Sequence, residues 1–177
     1  IEASRLSLRV EEHGVEPLVR RAVESVRAEA AGRSVALVLA VASELGSARL
    51  DGERIVEALA HLLRNGVRFT PDGGTVTLRA AREAGRLVLE VEDTGIGIPR
   101  ERQAALFEHA VLIRDSKHHH SSTGLEFRSA GLGLGIPIVR GVVRMHGGTL
   151  QVTSHEGRGS VFRIVLPLEP AAEREAA

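Results

Sequence analysis

Apolar residues at near-helical spacing predict three long helices. The first covers residues 15–31, the second runs from a cap at Asp51 to about residue 69, and the third covers residues 134–146. Asp51 is a favourable N-cap because its side chain accepts hydrogen bonds from the free N–H groups of a first turn. The second helix has the clearest core stripe, which consists of Ile55, Leu59, Leu62 and Leu63.

Period-two alternation and short apolar runs predict the strands. They cover residues 6–10, 34–41, 75–80, 86–93, 149–154 and 160–166. The run at 34–41 is compact and apolar, which is typical of a buried strand. The strands at 75–80 and 86–93 are joined by a short segment with Gly85, so we expect an antiparallel hairpin. Its inner face is formed by Leu87, Leu89 and Val91.

Strands grouped into hairpins with helices between them predict one α+β domain. We expect a two-layer α/β sandwich, with helices on one face of a mixed, largely antiparallel sheet. The domain is predicted to cover residues 6–168, after a remnant of another element at 1–5 and before a flexible, charged tail at 169–177. A short helix is expected at 100–107, and a polar loop follows at 110–130.

Composition narrows the possible functions. Of the 177 residues, 43% are apolar and 26% are charged, as in soluble globular proteins. Lys plus Arg and Asp plus Glu balance at 23 each, so net charge favours neither nucleic acid nor an acidic membrane surface. The chain has no Trp and no Tyr, which disfavours the aromatic platforms of single-strand nucleic-acid binders. We therefore expect no nucleic-acid partner.

Two absences bear on the cellular compartment. The chain has no cysteine, which excludes disulfides and thiolate metal sites and fits a reducing compartment. No run approaches the roughly 18 apolar residues of a membrane span. We expect this piece to be cytoplasmic and to make no membrane contact.

The first candidate site is a polar stripe on the second helix. Glu57, His61, Asn65 and Arg68 follow one another at steps of four, four and three residues, so they share one face. Asn65 is followed by Gly66, and glycine inside a helix costs about 1 kcal/mol relative to alanine. An unfavourable residue in an otherwise regular helix indicates function, although a solvated helix face produces the same stripe.

The second candidate site is Asp93, at the end of a predicted strand. Alternation places Asp93 on the inner face of the hairpin, so its carboxylate is expected to be buried and to need donors. Gly95 and Gly97 follow and permit close approach of the backbone to a ligand. The amino group of adenine would supply the missing donor. A tight turn in which Asp93 accepts only backbone N–H bonds is the alternative.

The third candidate site is the sequence GLGLG at residues 131–135, which opens the last predicted helix. Glycines at a helix N-terminus present free N–H groups and a positive dipole end to phosphate. A flexible turn has the same composition. A dinucleotide fingerprint would require a strand directly before the glycines, and here a polar loop precedes them.

Together and in this order, these segments resemble the ATP-binding domain of sensor histidine kinases, in the superfamily shared with DNA gyrase, Hsp90 and MutL. The four boxes of that family are similar to HLLRNGVRFT at 61–70, DTGIG at 93–97, LFE at 106–108 and GLGLG at 131–135. The similarity continues through 138–140 and 146–148 to 157–162. Four ordered boxes are far more specific than any one of them.

The resemblance implies a Bergerat-type ATP-binding fold with a mobile lid at 110–130, and it implies a role for each matching residue. Asn65 would ligate the Mg²⁺ that bridges the phosphates, Arg68 would pair with phosphate, and Asp93 would bind the adenine amino group. Ser160 matches a hydroxyl position that assists Asp93 through water. Other residues implied at the ATP site are Phe69, Gly95, Gly97, Ile98, Phe107, Arg114, Lys117, Gly131, Leu132, Gly133, Leu134 and Gly135.

His61 departs from the family pattern, which often has a second asparagine at this position. His61 is a candidate catalytic residue beside Asn65 and Arg68, because an imidazole can accept a proton or bind a metal-held water. It can equally serve only to space the helix.

The three consecutive histidines at 118–120 suggest a metal site, but neighbouring loop residues seldom provide tetrahedral geometry. A solvated run is the preferred interpretation. Arg114 or Lys117 closing on the phosphates is the better prediction for this loop.

The resemblance implies binding of Mg-ATP and transfer of its γ-phosphoryl group to a histidine on a separate helical dimerisation domain of the same parent protein. Residues 1–5 would be a remnant of that domain, and a response regulator receiver domain would be an indirect partner. One alternative is a degenerate module that regulates without catalysis. Another is a superfamily ATPase that hydrolyses ATP, although such members have glutamate where this chain has His61.

Overall fold

The computed structural model of the chain describes residues 8–103 and 132–169, with the backbone alone for 132–134. In chain order the elements are β1 (Glu11–Gly14), α1 (Val15–Glu24), α2 (Arg27–Gly32), β2 (Ala36–Val41), β3 (Ser47–Leu50), α3 (Gly52–Phe69), β4 (Thr75–Glu83), β5 (Arg86–Asp93), α4 (Leu132–Met145), β6 (Thr149–His155) and β7 (Gly159–Pro167). A further helical segment begins at residue 100 and is described to 103.

Five strands form the main sheet, in the order β2-β4-β5-β7-β6. The β2–β4 pair is parallel, and the other three pairs are antiparallel. This confirms the predicted mixed, largely antiparallel sheet and the hairpin formed by β4 and β5. A two-stranded sheet of β1 and β3 lies apart from it and was not predicted.

The helices cover one face of the main sheet. Side chains on that face alternate along each strand and belong to a single buried core. From β4, β5 and β7, they are Val76, Leu78, Ala80, Leu87, Leu89, Val91, Phe162, Ile164 and Leu166. The opposite face carries charged pairs between strands, including Arg163 with Glu90 at 2.7 Å. The helices cover one side of the sheet because only that face is apolar and needs to be buried, whereas the charged face can stay in water.

Helix α3 forms the centre of the helical layer. The Asp51 carboxylate accepts a hydrogen bond from the backbone N–H of Arg54 at 3.1 Å, which confirms the predicted N-cap. The predicted stripe of Ile55, Leu59, Leu62 and Leu63 is at most 1% exposed. Fully burying a side chain of this size contributes about 1.5–3 kcal/mol. The stripe therefore fixes α3 in the core and turns its polar stripe toward α4.

The strand predicted at 6–10 is wrong in its position. The described residues 8–10 are not a strand, and β1 begins at Glu11. Pairing with β3, with Glu11 opposite Leu50, forms β1, although its own side chains are largely exposed. Long-range pairing therefore creates a strand that local alternation does not mark.

The helix predicted at 15–31 is two helices. Helix α1 ends at Glu24, and Val26 leaves the helical conformation with φ −117° and ψ 1°. The Ser25 hydroxyl donates to the carbonyl of Ala22 at 2.7 Å. Serine hydroxyls compete with helical backbone hydrogen bonds in this way, and this accounts for the break.

The strand predicted as buried at 34–41 lies at an edge of the sheet. β2 begins at Ala36, after Ser34 adopts the left-handed conformation with φ 51°. Its residues alternate between exposed and half-buried because successive side chains point to opposite faces of the sheet. The inner face is only half-buried because β4 is the neighbour of β2 on one side only. An apolar run therefore did not distinguish an edge strand from a central one.

The remaining elements agree with the prediction to within a few residues. Helix α4 begins at Leu132, two residues before the predicted start, and β4 extends to Glu83. The later part of the helix predicted at 100–107 lies outside the described residues, as do residues 1–7 and 170–177. Among the helices of the described part of the chain, none is long and apolar enough to cross a bilayer.

Candidate functional site

Asp93 ends β5 on the face that points into the core. Its side chain follows the alternation set by Leu87, Leu89 and Val91, and the residue is 7% exposed. Burial raises the pKa of the carboxyl group, and the charge of Glu92 adds to this effect. Hydrogen bonds from the backbone N–H groups of Gly95 and Ser160 lower the pKa and offset part of the rise.

The Asp93 carboxylate retains capacity to accept another donor. Its Oδ1 accepts from the backbone N–H of Gly95 at 2.9 Å. A carboxylate offers about four acceptor sites, and burial makes an unfilled site costly. The position therefore suits a ligand that brings its own N–H group.

Two serine residues lie beside this carboxylate at the end of the sheet. Ser160 on β7 lies directly opposite Asp93, and its Oγ is 2.9 Å from the Oγ of Ser154 on β6. The Ser154 hydroxyl also accepts from the backbone N–H of Ile98 at 2.8 Å. This chain of contacts ties the loop after β5 to the end of the sheet.

Gly95 and Gly97 lie against the backbone of other segments, and we call this pair of close contacts the cradle. A methyl group at Gly95 would lie 2.6 Å from the carbonyl oxygen of Phe69. A methyl group at Gly97 would lie 2.0 Å from the carbonyl oxygen of His155, and Gly97 also has a φ of 68°. Neither position accepts another residue without movement of the backbone.

A small pocket opens in front of Asp93. Its lining consists of Asn65, Phe69, Asp93, Ile96, Gly97, Ile98, Ser160 and Phe162. Apolar walls with one buried carboxylate suit a flat heterocycle that donates one hydrogen bond. The structure therefore brings together six residues that the sequence placed at the ATP site: Asn65, Phe69, Asp93, Gly97, Ile98 and Ser160.

Asn65 stands where the pocket meets the start of α4. Its Nδ2 is buried and has no hydrogen-bond partner among the described residues. A methyl group at Gly135 would lie 3.5 Å from this nitrogen. An amide donor buried without a partner is costly, so this position favours a polar ligand.

The glycine after Asn65 has a packing role. A methyl group at Gly66 would lie 3.0 Å from Cγ1 of Val76 and 3.5 Å from Cβ of Asp93. Gly66 thus lets α3 lie directly against β4 and β5. Gly66 is unfavourable in a helix, but its missing side chain allows the close packing that brings Asn65 near Asp93.

The other two candidate catalytic residues lie on either side of Asn65. A methyl group at Gly135 would lie 3.7 Å from Nδ1 of His61, and Nε2 of His61 is 4.0 Å from Oε1 of Glu57. The Arg68 guanidinium lies over the Phe69 ring, 5.7 Å from its centroid. Of the predicted polar stripe, His61 and Asn65 therefore lie against the start of α4, whereas Glu57 and Arg68 are exposed.

The glycine-rich segment does open a helix, as predicted. Leu132, Gly133, Leu134 and Gly135 form the first turn of α4. Outside the described residues lie Phe107, Arg114, Lys117, the histidines at 118–120 and Gly131, together with the whole predicted lid at 110–130.

Sequence reasoning missed four residues of this region: Ile96, Phe162, Ser154 and Gln103. Phe162 had a usable signal, because alternation from Ser160 places both on one face of β7. The Gln103 amide donates to the carbonyls of Ile98 and Ser154 at 2.8 and 3.0 Å. The contacts that bring Gln103 and Ser154 to this region join segments about 50 residues apart, so neither residue carries a local signal for it.

Comparisons with known proteins agree with this geometry. Residues 50–170 match the family described as histidine kinase-, DNA gyrase B- and HSP90-like ATPase. The sensor protein DivL of Caulobacter vibrioides is 36% identical over 94% of this chain. The circadian input-output histidine kinase CikA of Synechococcus elongatus is 33% identical over 98% of it.

The fold is also that of solved histidine kinase structures. Full-length ShkA in complex with AMPPNP superposes with a TM-score of 0.76 and 27% identity, covering 96% of this chain and 33% of ShkA. This chain spans only 20% of DivL and 23% of CikA. The shared region is thus one domain of much longer relatives.

Proposed function

This chain belongs to the family of histidine kinase-, DNA gyrase B- and HSP90-like ATPases, and we propose that it is the ATP-binding catalytic domain of a two-component sensor histidine kinase. It binds Mg-ATP in the pocket before Asp93. It transfers the γ-phosphoryl group to a histidine on a separate helical dimerisation domain. A response regulator receiver domain then takes the group from that histidine.

The observation that carries this proposal is the buried Asp93 at the floor of an apolar pocket. Adenine fits because its amino group donates to the free acceptor capacity of the carboxylate. The side chains of Phe69, Ile96 and Phe162 give this pocket apolar walls of the kind that contact the faces of a flat ring. The backbone N–H groups of Gly95 and Ser160 hold this carboxylate in place. The Ser160 hydroxyl, opposite Asp93 on β7, is proposed to assist it through a bridging water.

The phosphates are proposed to extend from this pocket toward Asn65 and α4. The half-buried Asn65 fits a metal and phosphate site, since its Oδ1 is an oxygen ligand of the kind that Mg²⁺ prefers and its Nδ2 has no partner among the described residues. The first turn of α4 lies beside Asn65 at Gly135, and the N–H groups of a helix N-terminus attract phosphate oxygens. Arg68 adds positive charge at the pocket edge.

Magnesium-bound ATP supplies an activated phosphoryl group whose charge the metal partly neutralises. The residues of this chain then have to bind, orient and shield it. Asp93 fixes the position of the base, and Asn65 fixes the direction of the phosphate chain. Phosphoryl transfer depends mainly on such positioning, and the acceptor histidine comes from outside this domain.

Calorimetric titration with ATP and ADP, with and without magnesium, tests the binding site. Asp93→Asn is expected to abolish binding of both nucleotides, and Asn65→Ala to remove mainly the magnesium-dependent part. Glu92→Gln is the matched control, because Glu92 is the neighbouring carboxyl group on the other face of β5. Unchanged affinity in both site variants would contradict the assignment.

Incubation with a cognate helical dimerisation domain and labelled ATP tests the kinase activity. We expect label on the acceptor histidine in the presence of the wild-type domain and none with Asp93→Asn. ATP binding without any labelling would indicate a regulatory module. Steady phosphate release by the domain alone, at enzyme-like rates, would instead indicate an ATPase.

A further inference from the structure

His61 and Asn65 are neighbours on the polar face of α3, about one helical turn apart. A methyl group at Gly135, in the first turn of α4, would lie 3.7 Å from Nδ1 of His61 and 3.5 Å from Nδ2 of Asn65. The two side chains therefore converge on the same part of α4. Both residues are half-buried, so they lie between the two helices and not in open solvent.

The spacing of these two residues is one that metal sites use. Two side chains four residues apart on a helix can bind one ion, as the two histidines of a zinc-binding H-E-x-x-H helix do. Asn65 is the proposed metal ligand of this domain, and His61 precedes it by four residues on α3. The helix thus places an imidazole next to the proposed ion.

Glu57, one turn before His61, favours one of the two neutral forms of the ring. Its Oε1 lies 4.0 Å from Nε2 of His61, a separation longer than a hydrogen bond but short enough for the charge to act. A carboxylate on this side favours the proton on Nε2. The lone pair is then on Nδ1, the nitrogen beside α4. Metal-binding histidines commonly have a carboxylate behind the ring, which orients it.

We propose that His61 is a second protein ligand of the nucleotide-bound metal ion, through Nδ1, and that it gives this domain a preference for first-row transition ions such as Co²⁺ over Mg²⁺. Imidazole suits such ions, whereas Mg²⁺ prefers oxygen ligands and keeps its waters. This inference rests on the ATP site proposed above and concerns which ion fills it.

Calorimetric titration with a non-hydrolysable ATP analogue, in Mg²⁺ alone and in Co²⁺ alone, measures this preference. The wild type is expected to bind the analogue more tightly with Co²⁺. His61→Asn replaces the imidazole nitrogen with an amide oxygen, so the ratio of Co²⁺-dependent to Mg²⁺-dependent affinity should fall at least about tenfold, because changes behind a metal ligand already cost roughly 10–100-fold. Glu57→Gln should lower the same ratio by a smaller factor.

His155→Asn is the matched control, because His155 is an exposed histidine of β6 that does not line the pocket before Asp93. It should leave the ratio of the two affinities as in the wild type. The histidines at 118–120 are the same in every variant, so any ion that they bind cancels in the comparison. If His61 only packs against α4, its replacement changes the affinity with both ions by the same factor, and this result would overturn the proposal.

Proton NMR of the complex with Co²⁺ and the analogue identifies the ligand directly. A coordinated imidazole is expected to give a strongly shifted, exchangeable N–H resonance, which should be absent from His61→Asn and present in His155→Asn. The same resonance in His61→Asn would overturn the inference and leave the proposed ATP site intact. A wild type that binds no nucleotide with either ion would instead refute the proposed function, and this inference with it.

Discussion

The imidazole of His146, which is 2% exposed, accepts a hydrogen bond at Nε2 from the backbone N–H of Asp51, at 2.9 Å. Its Nδ1 lies 2.7 Å from the carbonyl oxygen of Val142 and therefore carries the proton. One neutral ring thus connects the end of α4 to the N-cap of α3, across 95 residues of sequence. The two helices that flank the candidate phosphate site are held together by this contact.

Replacing His146 with alanine should destabilise the domain. The change leaves a cavity and a buried N–H of Asp51 without an acceptor, for a loss of about 2–4 kcal/mol in the free energy of unfolding. Urea denaturation measures the loss. The control is His155→Ala at an exposed histidine of β6, which should change the free energy of unfolding by less than about 0.5 kcal/mol.

The stability of the domain should fall in mild acid because of His146. Burial lowers its pKa below 6.5, and the nearby Arg54 contributes, while the Val142 carbonyl and Asp51 oppose the effect. The unfolded chain therefore binds the proton first, and the stability due to the neutral ring is lost as pH falls below 6.5. Denaturation at several pH values should show this slope in the wild type and a reduced slope in His146→Gln. Equal slopes in the two proteins would exclude His146 as the cause.

Asp93→Asn should have opposite effects on the stability of the domain at neutral pH and on its binding of nucleotide. The pKa of Asp93 is raised from 3.8, so the protonated form is favoured by folding, and that contribution is lost as pH rises through the folded pKa. Relative to the asparagine variant, the wild type should lose stability as pH increases from about 3 to about 7. Only the wild type is expected to bind nucleotide. Paired thermal melts of the wild type and Asp93→Asn across this range test the trend, because the difference between the two proteins isolates the Asp93 carboxyl group. A wild type that gains stability relative to the variant would contradict it.

Gly97→Ala should disrupt the cradle beneath the pocket. The added methyl group would lie 2.0 Å from a backbone oxygen, at a φ of 68°, so we expect a loss of more than about 3 kcal/mol and weaker nucleotide binding. Gly157→Ala is the matched control, because Gly157 also has a positive φ, 75°, but open space around it. That change should cost only about 1 kcal/mol. If both variants lost a similar free energy of unfolding, glycine would be required at residue 97 for its positive φ and not for the close backbone contact.

Features that depend on local periodicity and turn chemistry were readable from the amino-acid sequence. The stripe of α3, its Asp51 cap, the β4–β5 hairpin and the inward direction of Asp93 follow from spacings of a few residues. The polar stripe of Asn65 and the glycines after Asp93 likewise indicated a site. Residues that are unfavourable for the local secondary structure are expected where a protein binds a ligand.

Only the folded domain shows which segments, distant in the sequence, contact one another. The position of β1, the edge location of β2, and the contacts of Ser154, Gln103 and His146 depend on pairing and burial between remote parts of the chain. A hydrophobic pattern identifies the side chains that will be buried, but it does not specify which other segments of the chain they pack against. Local order is therefore set by neighbouring residues, and the register between elements is set by packing of the whole domain.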